Sequence, residues 1–370
     1  MLCYSKFPLI ADTVTNDKHE LISKRYRFSI AICPGCNWIQ QASEPDLSLL
    51  YRRFKNARLG SIWREHHKKL KEFIVKYLIG TTGSRIAEIG GGDLELARVI
   101  KVEVPDIELR VFENSLPEGV ETEKLLLEKK LWEDAYVSQP FNLIYSSHVI
   151  EHVPDPRVHI SKIRDNLETG GHCIVSLPDF QHWIENLYLN AFNQEHLIYP
   201  FITDIIEAFG RYGLTIDNIY RFENHSVFLA FENSEKTSMT GKQEPTSFEV
   251  KRRLLKEFEQ YLARINSGLK QKCAGKKTFV FGANSSTQVL MSLPVMREVK
   301  VEAILDNSEL KQGQYLAGSG IPVRNPVLLK DLEDAASCVV VIFMGAYTNE
   351  ICQQINSLNP DLEIISPEDV

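Results

Sequence analysis

The clearest pattern in the chain is an alternation of apolar strand-like runs and amphipathic helical stretches, from about residue 62 to residue 231. An amphipathic stretch at about 63–78 predicts a helix, and the apolar run Arg85–Ile89 after it predicts a strand. Further strands are predicted at 108–113, 141–145 and 172–177, with helical stretches between them. Repeated alternation of this kind predicts a parallel sheet covered by helices on both faces.

A second α/β pattern fills the last third of the chain. The polar segment 232–247 predicts a linker, and helical spacing of apolar residues predicts a long helix from Phe248 to about Leu269. Strands are predicted at 278–282, 301–306 and 338–344, and helices at 287–293 and 348–358. Residues 1–60 show little periodicity. We therefore expect an N-terminal module at 1–60, an α/β domain at 61–240 and a second, Rossmann-like α/β domain at 241–370.

Composition narrows the class of protein. A chain of 370 residues with 44% apolar and 25% charged residues is typical of a globular protein with more than one core. A net charge of −7 does not indicate a nucleic-acid-binding surface, and the longest apolar run, Cys338–Ala346, is too short to span a membrane. The first residues lack the apolar stretch of a secretory signal, and the seven cysteines are an odd number. We expect a reduced, cytoplasmic protein with neither a nucleic acid nor a membrane as partner.

The first candidate ligand site is the segment Glu88-Ile-Gly-Gly-Gly-Asp93, which lies between a predicted strand and a helix that begins near Leu94. Glycines at such a turn let the backbone approach a ligand, and the helix N-terminus directs free N–H groups towards it. The spacing is not the GxGxxG of a dinucleotide site. An acid at the start of the turn suits a cationic ligand with an amino-acid tail better than a pyrophosphate. Glu113 ends the next strand, where a carboxylate can accept both hydroxyls of a ribose.

Together with the segment Ser146-Ser-His-Val-Ile-Glu-His-Val-Pro-Asp-Pro156, these features resemble a class I S-adenosylmethionine (AdoMet)-dependent methyltransferase. The resemblance implies a Rossmann-like sheet with AdoMet as cosubstrate. It implies that AdoMet is bound by Glu88, Gly90, Gly91, Gly92, Glu113, Trp132, Glu133 and Ser146, with Trp132 and Glu133 near the adenine. The alternative is a tight strand-to-helix turn with an incidental acid.

A second resemblance involves the C-terminal region. Gly282-Ala-Asn-Ser-Ser-Thr287 follows a predicted strand, Asp306 closes the next, and Lys311-Gln-Gly313 and Ile321-Pro-Val323 come after it. This order is similar to the C-terminal domain of the sugar C-methyltransferase family, which acts on nucleotide-linked deoxy-keto sugars. It implies that Gly282, Asn284, Ser285 and Asp306 contact a nucleotide-sugar substrate. Two alternatives are a supporting scaffold and the nucleotide-sugar-binding domain of sugar acyltransferases.

The base motif of the same family resembles Asn193-Gln-Glu-His-Leu-Ile-Tyr199. The resemblance implies that His196 is the catalytic base, since imidazole titrates near neutrality, and that Glu195 orients it. Asn193 and Tyr199 would contact the substrate. Asn193 stands where the family usually has tyrosine, and a further tyrosine stretch of the family is replaced at 51–57, which weakens the case for methylation at carbon. The helix that follows begins Trp63-Arg-Glu-His66-His67, where both histidines are expected to be exposed.

The N-terminal module of the family carries two Cys-x-x-Cys pairs around one zinc ion. This chain has the pair Cys33 and Cys36, with only Cys3 near the place of the other. Structural zinc takes four ligands, and nothing in its spacing favours His19 as the fourth. Cys3, Cys33 and Cys36 are therefore candidate ligands of a structural zinc, and a degenerate, metal-free module is the alternative.

The whole sequence thus predicts AdoMet-dependent methyl transfer to a carbon of a nucleotide-activated deoxy or keto sugar, after deprotonation assisted by His196. Methylation of oxygen or nitrogen on a related sugar is one alternative. A non-catalytic relative that binds a nucleotide sugar is another. An NAD-dependent oxidoreductase would need a fuller glycine fingerprint than Gly282-Ala-Asn-Ser-Ser.

Overall fold

The computed structural model describes residues 2–8, 14–17, 25–43, 61–79, 83–115, 125–234 and 245–370. Its strands are β1 (Leu2–Pro8), β2 (Val14–Thr15), β3 (Arg25–Ile32), β4 (Ile39–Gln41), β5 (Arg85–Ile89), β6 (Glu108–Phe112), β7 (Leu126–Glu128), β8 (Phe141–Ser147), β9 (Leu167–Pro178), β10 (Ile198–Tyr199), β11 (Leu214–Phe222), β12 (Ser226–Asn233), β13 (Lys277–Phe281), β14 (Val301–Leu305), β15 (Tyr315–Leu316), β16 (Ile321–Arg324), β17 (Cys338–Ile342) and β18 (Glu363–Ile365). Its α-helices are α1 (Ser61–Val75), α2 (Glu95–Glu103), α3 (Pro156–Asp165), α4 (Phe180–Glu185), α5 (Ile202–Gly210), α6 (Phe248–Lys272), α7 (Ser285–Ser292) and α8 (Thr348–Leu358).

The chain folds into two compact units, named for their positions in the sequence. The middle unit comprises Phe54–Gln181 and Leu197–Ser247. The terminal unit comprises Met1–Arg53, His182–His196 and Phe248–Val370. The N-terminal residues thus fall in the same unit as the C-terminal sheet, which differs from the separate module predicted for residues 1–60.

The sheet of the middle unit has the strand order β11-β12-β9-β8-β5-β6-β7. The five strands from β9 to β7 are parallel, as the alternating pattern predicts. β12 is antiparallel to both of its neighbours, so the sheet is not wholly parallel. The β11–β12 hairpin was not predicted as an element. Its sequence signal is the polar turn Glu223-Asn224-His225 between two runs rich in aromatic and β-branched residues.

One hydrophobic core joins this sheet to α1 and α2. Leu70, Phe73 and Ile74 of α1 are buried against the sheet, at the helical spacing that predicted the helix. In β5, the four residues after Arg85 are all buried, which explains why this strand reads as a continuous apolar run. The carboxyl ends of β8, β5 and β6 therefore lie side by side at one edge of the sheet.

The sheet of the terminal unit has the order β18-β17-β13-β14-β16-β15-β2. The five strands from β18 to β16 are parallel, whereas β15 is antiparallel to both β16 and β2. The second α/β pattern is therefore confirmed, with a strand from residues 14 and 15 added at its edge. Outside this sheet, β3 pairs antiparallel with both β1 and β4.

The long helix α6 buries the apolar stripe that predicted it, and Phe258 packs edge-on against Phe192 with ring centroids 5.1 Å apart.

Among the helices that the structure describes, none has both the length and the hydrophobicity needed to span a membrane.

Candidate active site

The glycine turn after β5 is tightly packed on one side and open on the other. Gly90 and Gly92 have φ angles of 73° and 55°, which glycine adopts without strain. A β-carbon on Gly91 would lie 2.3 Å from Cγ1 of Val111, and one on Gly90 would lie 2.5 Å from Cγ2 of Val149. A β-carbon on Gly92 would meet no atom within 4 Å. The turn therefore offers open space at Gly92, where a ligand can approach the backbone.

Glu88 is a buried carboxylate with an unsatisfied oxygen. Its side chain is 2% exposed, and Oε2 is buried without a hydrogen-bond partner among the described residues. Burial raises the pKa of Glu88 well above its ordinary value and the negative charges of Glu113 and Asp93 add to the shift, whereas a side-chain hydrogen bond with Tyr145 acts against it. A buried carboxyl group with one unsatisfied oxygen is costly unless it stays protonated or gains a cation. A positively charged ligand at the glycine turn would supply that compensation.

Glu113 follows the last residue of β6 and faces the same turn. Its Oε2 accepts a hydrogen bond from the amide of Gly92 at 3.0 Å, and its Oε1 accepts one from the amide of Ser115 at 2.7 Å. Burial raises the pKa of Glu113, although these amide bonds act against the shift. The backbone thus holds the carboxylate in one orientation at the carboxyl edge of the sheet.

The remaining predicted AdoMet residues lie on neighbouring elements of the same unit. Trp132 is buried against Phe112, with ring centroids 4.9 Å apart, and its Nε1 has no hydrogen-bond partner among the described residues. The carboxylate of Glu133 lies 2.6 Å from Nδ1 of His159. Ser146 lies near the carboxyl end of β8, and its buried Oγ has no partner among the described residues.

These observations fit AdoMet. The sulfonium and ammonium groups of AdoMet match the buried carboxyl of Glu88 with its unsatisfied oxygen, and the fixed carboxylate of Glu113 suits a pair of ribose hydroxyls. The orphan donor of Trp132 and the orphan oxygen of Ser146 are further polar groups that a ligand can satisfy. The structure therefore brings to one sheet edge residues that are far apart in the sequence.

In the terminal unit, the predicted substrate residues Gly282, Asn284 and Asp306 make close contacts within the protein. Met344 lies over Gly282, where a β-carbon would be 2.4 Å from its Sδ. Asn284 caps α7 through a hydrogen bond from the amide of Thr287 at 3.0 Å, and Ser285 is the first residue of that helix. Asp306 accepts hydrogen bonds from the amide of Ala283 at 2.8 Å and from Lys311 at 3.2 Å.

A pocket that the sequence did not reveal lies at the carboxyl edge of this sheet. It has a volume of about 290 Å³ and is lined by Tyr188, Tyr261, Phe343, Gly345, Thr348 and Glu368, among others. The ring of Tyr188 lies 3.6 Å from the place of a β-carbon on Gly345, whose φ is 56°. β13 has β14 on one side and β17 on the other, so the chain changes direction across the sheet between β13 and β17. Ligands of open α/β sheets bind at this kind of position.

His196 lies in a turn that Asn193 organises. Oδ1 of Asn193 accepts hydrogen bonds from the amides of Glu195 at 3.0 Å and of His196 at 3.1 Å, and its Nδ2 lies 3.2 Å from Nδ1 of His196. Nε2 of Gln41 donates to the carbonyl oxygens of Gln194 at 2.9 Å and His196 at 2.8 Å. Because Nδ2 of Asn193 can only donate, Nδ1 of His196 is the acceptor and the neutral ring carries its proton on Nε2.

Tyr199 is 1% exposed and packs against Phe180, so its ring lies in the core. One sequence expectation changes in the structure. His66 is fully buried rather than exposed, and its Nε2 lies 2.9 Å from Oγ of Ser176. The reason is geometric: His66 is four residues before Leu70, so both side chains lie on the buried face of α1.

The described residues do not fit the predicted zinc site. The register of β1 and β3 pairs Cys3 with Ser29. Cys33 follows Ser29 by four residues, about 13 Å along an extended chain, whereas thiolates lie about 2.3 Å from a zinc ion. Cys33 and Cys36 lie between β3 and β4, and no third candidate ligand among the described side chains lies with them. The side chain of Cys3 and the whole of His19 are outside the described residues.

The strand order, with its antiparallel strand between β9 and β11, and the acid-flanked glycine turn define a class I AdoMet-dependent methyltransferase. A methyltransferase-domain model matches residues 62–219, and a model of the C-methyltransferase C-terminal domain matches residues 232–361. These two matches, together with the relative described next, support a sugar C-methyltransferase family.

A relative and two solved structures illustrate the similarity. The C-methyltransferase NovU of Streptomyces niveus is 23% identical over 327 residues, which are 81% of this chain and 77% of the relative. The N-methyltransferase NodS of Bradyrhizobium japonicum is 16% identical with a TM-score of 0.39, over 49% of this chain and 92% of that one. The 1,6-didemethyltoxoflavin-N1-methyltransferase of Burkholderia thailandensis is 10% identical with a TM-score of 0.42, over 56% of this chain and 96% of that one.

Proposed function

We propose that this AdoMet-dependent C-methyltransferase methylates a carbon beside the ketone of a nucleotide-linked deoxy sugar, and that His196 assists the removal of the proton from that carbon. The name of NovU and the match of the C-methyltransferase C-terminal domain support carbon as the acceptor atom. The resemblance to the sugar C-methyltransferase family supports a sugar as the substrate class. AdoMet supplies an electrophilic methyl group. The chain itself must therefore bind the acceptor and make its carbon nucleophilic.

The observation that carries the role of His196 is its fixed tautomer. The amide of Asn193 donates to Nδ1, so Nε2–H is the group that the imidazole presents as a donor. A hydrogen bond from Nε2–H to the ketone oxygen would stabilise the negative charge that develops there when the neighbouring C–H bond breaks. In this role His196 acts as the oxyanion donor. To act as the base predicted from the family motif, His196 would first have to lose the hydrogen bond that Asn193 donates to its Nδ1.

The pocket beside Gly345 supports binding of the nucleotide part by the terminal unit. It combines aromatic surface from Tyr188 and Tyr261 with polar groups at the start of α8, a composition that suits a base and a diphosphate. Tyr188→Leu should weaken binding of nucleoside diphosphates, measured by calorimetry across a panel, because it removes the aromatic surface while keeping an apolar side chain. Unchanged affinity would exclude this pocket.

The experiment that tests the function is mass spectrometry and NMR of products formed with AdoMet and a panel of nucleotide-linked 3-keto, 4-keto and fully hydroxylated sugars. We expect one added methyl group, on a carbon next to the ketone. A methyl on oxygen or nitrogen, or no accepted sugar, would contradict the proposal. His196→Ala should lower kcat about 10²- to 10⁴-fold, with unchanged affinity for AdoMet. Full activity of that variant would remove His196 from the mechanism.

A further inference from the structure

Four histidines and a tryptophan meet in the middle unit, at positions that the predicted mechanism does not use. This histidine cluster consists of Trp63, His66, His67, His148 and His225. The ring of Trp63 contacts those of His148 and His225 edge-on, with both pairs of centroids 4.8 Å apart. The cluster combines residues from α1, the segment after β8 and the β11–β12 turn, so no local sequence pattern indicates it.

The cluster borders the glycine turn. Val149, the residue after His148, is the side chain that a β-carbon on Gly90 would strike. On the other side, Nδ1 of His67 lies 3.7 Å from Oε2 of Glu95, in the first turn of α2. The cluster therefore lies at the carboxyl edge of the sheet, next to the turn where AdoMet is bound.

A continuous chain of hydrogen bonds runs through part of the cluster. Nδ1 of His148 lies 3.0 Å from Oε1 of Glu151, and its Nε2 lies 3.0 Å from Oγ of Ser226. The same Oγ lies 2.5 Å from Nδ1 of His225. Glu151 is 1% exposed and Ser226 is fully buried, so these bonds are shielded from water.

The chemistry of the groups gives this chain a direction. A carboxylate only accepts, so His148 donates from Nδ1 to Glu151 and accepts at Nε2 from the hydroxyl of Ser226. The hydroxyl in turn accepts from Nδ1–H of His225, whose Nε2 is then the acceptor nitrogen of a neutral ring. The unusual backbone of His148, with φ at 54°, places its ring between Glu151 and Ser226.

The two ends of the chain differ in their ability to hold a positive charge. Burial and the neighbouring His148 lower the pKa of His225 to about 3, so this ring is neutral at neutral pH. An imidazolium at His148 would instead lie beside the buried carboxylate of Glu151. Among the four groups of the chain, only Glu151 can carry a negative charge that offsets a transferred proton.

We propose that His225, Ser226, His148 and Glu151 form a proton relay that removes the proton from the acceptor carbon, with His225 as the group facing the substrate. This proposal rests on the proposed function. Because the tautomer of His196 presents Nε2–H as a donor, another group must accept the proton from the acceptor carbon, and the relay supplies it.

The transfer conserves atoms and charge. The C–H bond of the acceptor breaks, its electron pair forms the enolate, and the proton binds Nε2 of His225. Nδ1 of His225 passes its proton to Oγ of Ser226 as the hydroxyl proton moves to Nε2 of His148. His148 becomes an imidazolium paired with Glu151, and the proton returns to water along the same path after methyl transfer.

Ser226→Ala tests the relay because it breaks the chain while keeping both imidazoles. We expect a decrease of about 100-fold or more in kcat, and in deuterium incorporation from D₂O next to the ketone with S-adenosylhomocysteine bound. Affinity for AdoMet should not change, and Ser226→Thr should restore activity because it keeps the hydroxyl. The matched control is Ser176→Ala, which removes an equally buried hydroxyl bonded to His66, outside the relay. Equal exchange rates in Ser226→Ala and the native protein would overturn the relay.

A measurement without substrate separates the relay from the proposed function. In the full-length protein labelled with ¹⁵N-histidine, we expect neutral His148 and His225 to carry their protons on Nδ1, and Ser226→Ala to change the Nε2 signal of His148. Among the described residues, further titratable groups near these rings include His66 and His67 on α1, with Asp93 and Glu95 beside His67. A proton on Nε2 of His148, unaffected by Ser226→Ala, would overturn the relay even if the sugar is methylated. The predicted tautomers would support it even if every keto sugar in the panel is refused.

Discussion

The amide of Gly92 donates a hydrogen bond to Oε2 of Glu113, 3.0 Å away, and so joins the end of one strand to the turn after its neighbour. This bond fixes the carboxylate before any ligand arrives, which lowers the entropic cost of binding. We expect Glu113→Ala to weaken AdoMet binding about 10- to 100-fold, the loss typical of removing hydrogen bonds to a charged group. Calorimetry measures it, and Glu113→Gln, which keeps one oxygen acceptor, should lose less. Equal affinity in all three proteins would exclude a ribose contact.

Glu88 should make the stability of the ligand-free protein depend on pH. Because its pKa is raised in the folded state, the folded protein keeps a proton that the unfolded chain releases above its ordinary pKa of 4.5. Stability should therefore fall as the pH rises from about this value through the raised pKa of Glu88. Glu88→Gln should remove this decrease, melt at a higher temperature at pH 8 and bind AdoMet more weakly. Thermal melts across pH test this, and parallel pH profiles of the two proteins would refute it.

Two adjacent glycines should respond differently to alanine. Gly91→Ala forces a β-carbon against Val111, so we expect a loss of about 3 kcal/mol in the free energy of unfolding. Gly92→Ala has space for the methyl group but a left-handed backbone, which costs about 1 kcal/mol. The open space at Gly92 faces the ligand side, so this variant should lose more AdoMet affinity than stability. Denaturant unfolding and calorimetry on both variants test the contrast, which the reverse order would contradict.

Asn193 should act by positioning His196. Asn193→Ala removes the acceptor of two backbone amides and the donor to Nδ1 of His196, so we expect kcat to fall about 10-fold or more with little change in KM. Asn193→Asp keeps the acceptor and lacks the donor. If only the backbone turn matters, Asn193→Asp should behave as the native protein; if the tautomer of His196 matters, both variants should be slow. Steady-state kinetics distinguish the two cases, and native activity in both variants would exclude a role for Asn193.

The cysteines give a further test. Since β1 and β3 place Cys3 opposite Ser29, Cys3→Ser should leave the zinc content of the purified protein unchanged. Elemental analysis of the native protein, Cys3→Ser and Cys33→Ser measures it. A zinc content that falls equally in both variants would show that Cys3 and Cys33 share one ion.

The sequence by itself determined most of the elements and the acid-flanked glycine turn. Local periodicity predicts strands such as Arg85–Ile89 and helices such as Thr348–Leu358, because it reports which face of an element is buried. The positions of Glu88 and Glu113 at the ends of two predicted strands identify these acids as a pair. The tertiary structure alone decided that β2 joins the C-terminal sheet and that Tyr188 lines a pocket with Gly345. It also decided that His148, Ser226 and His225 share one hydrogen-bonded chain. These relationships join residues up to about 300 positions apart, and such contacts arise from strand order and packing, which no local pattern encodes.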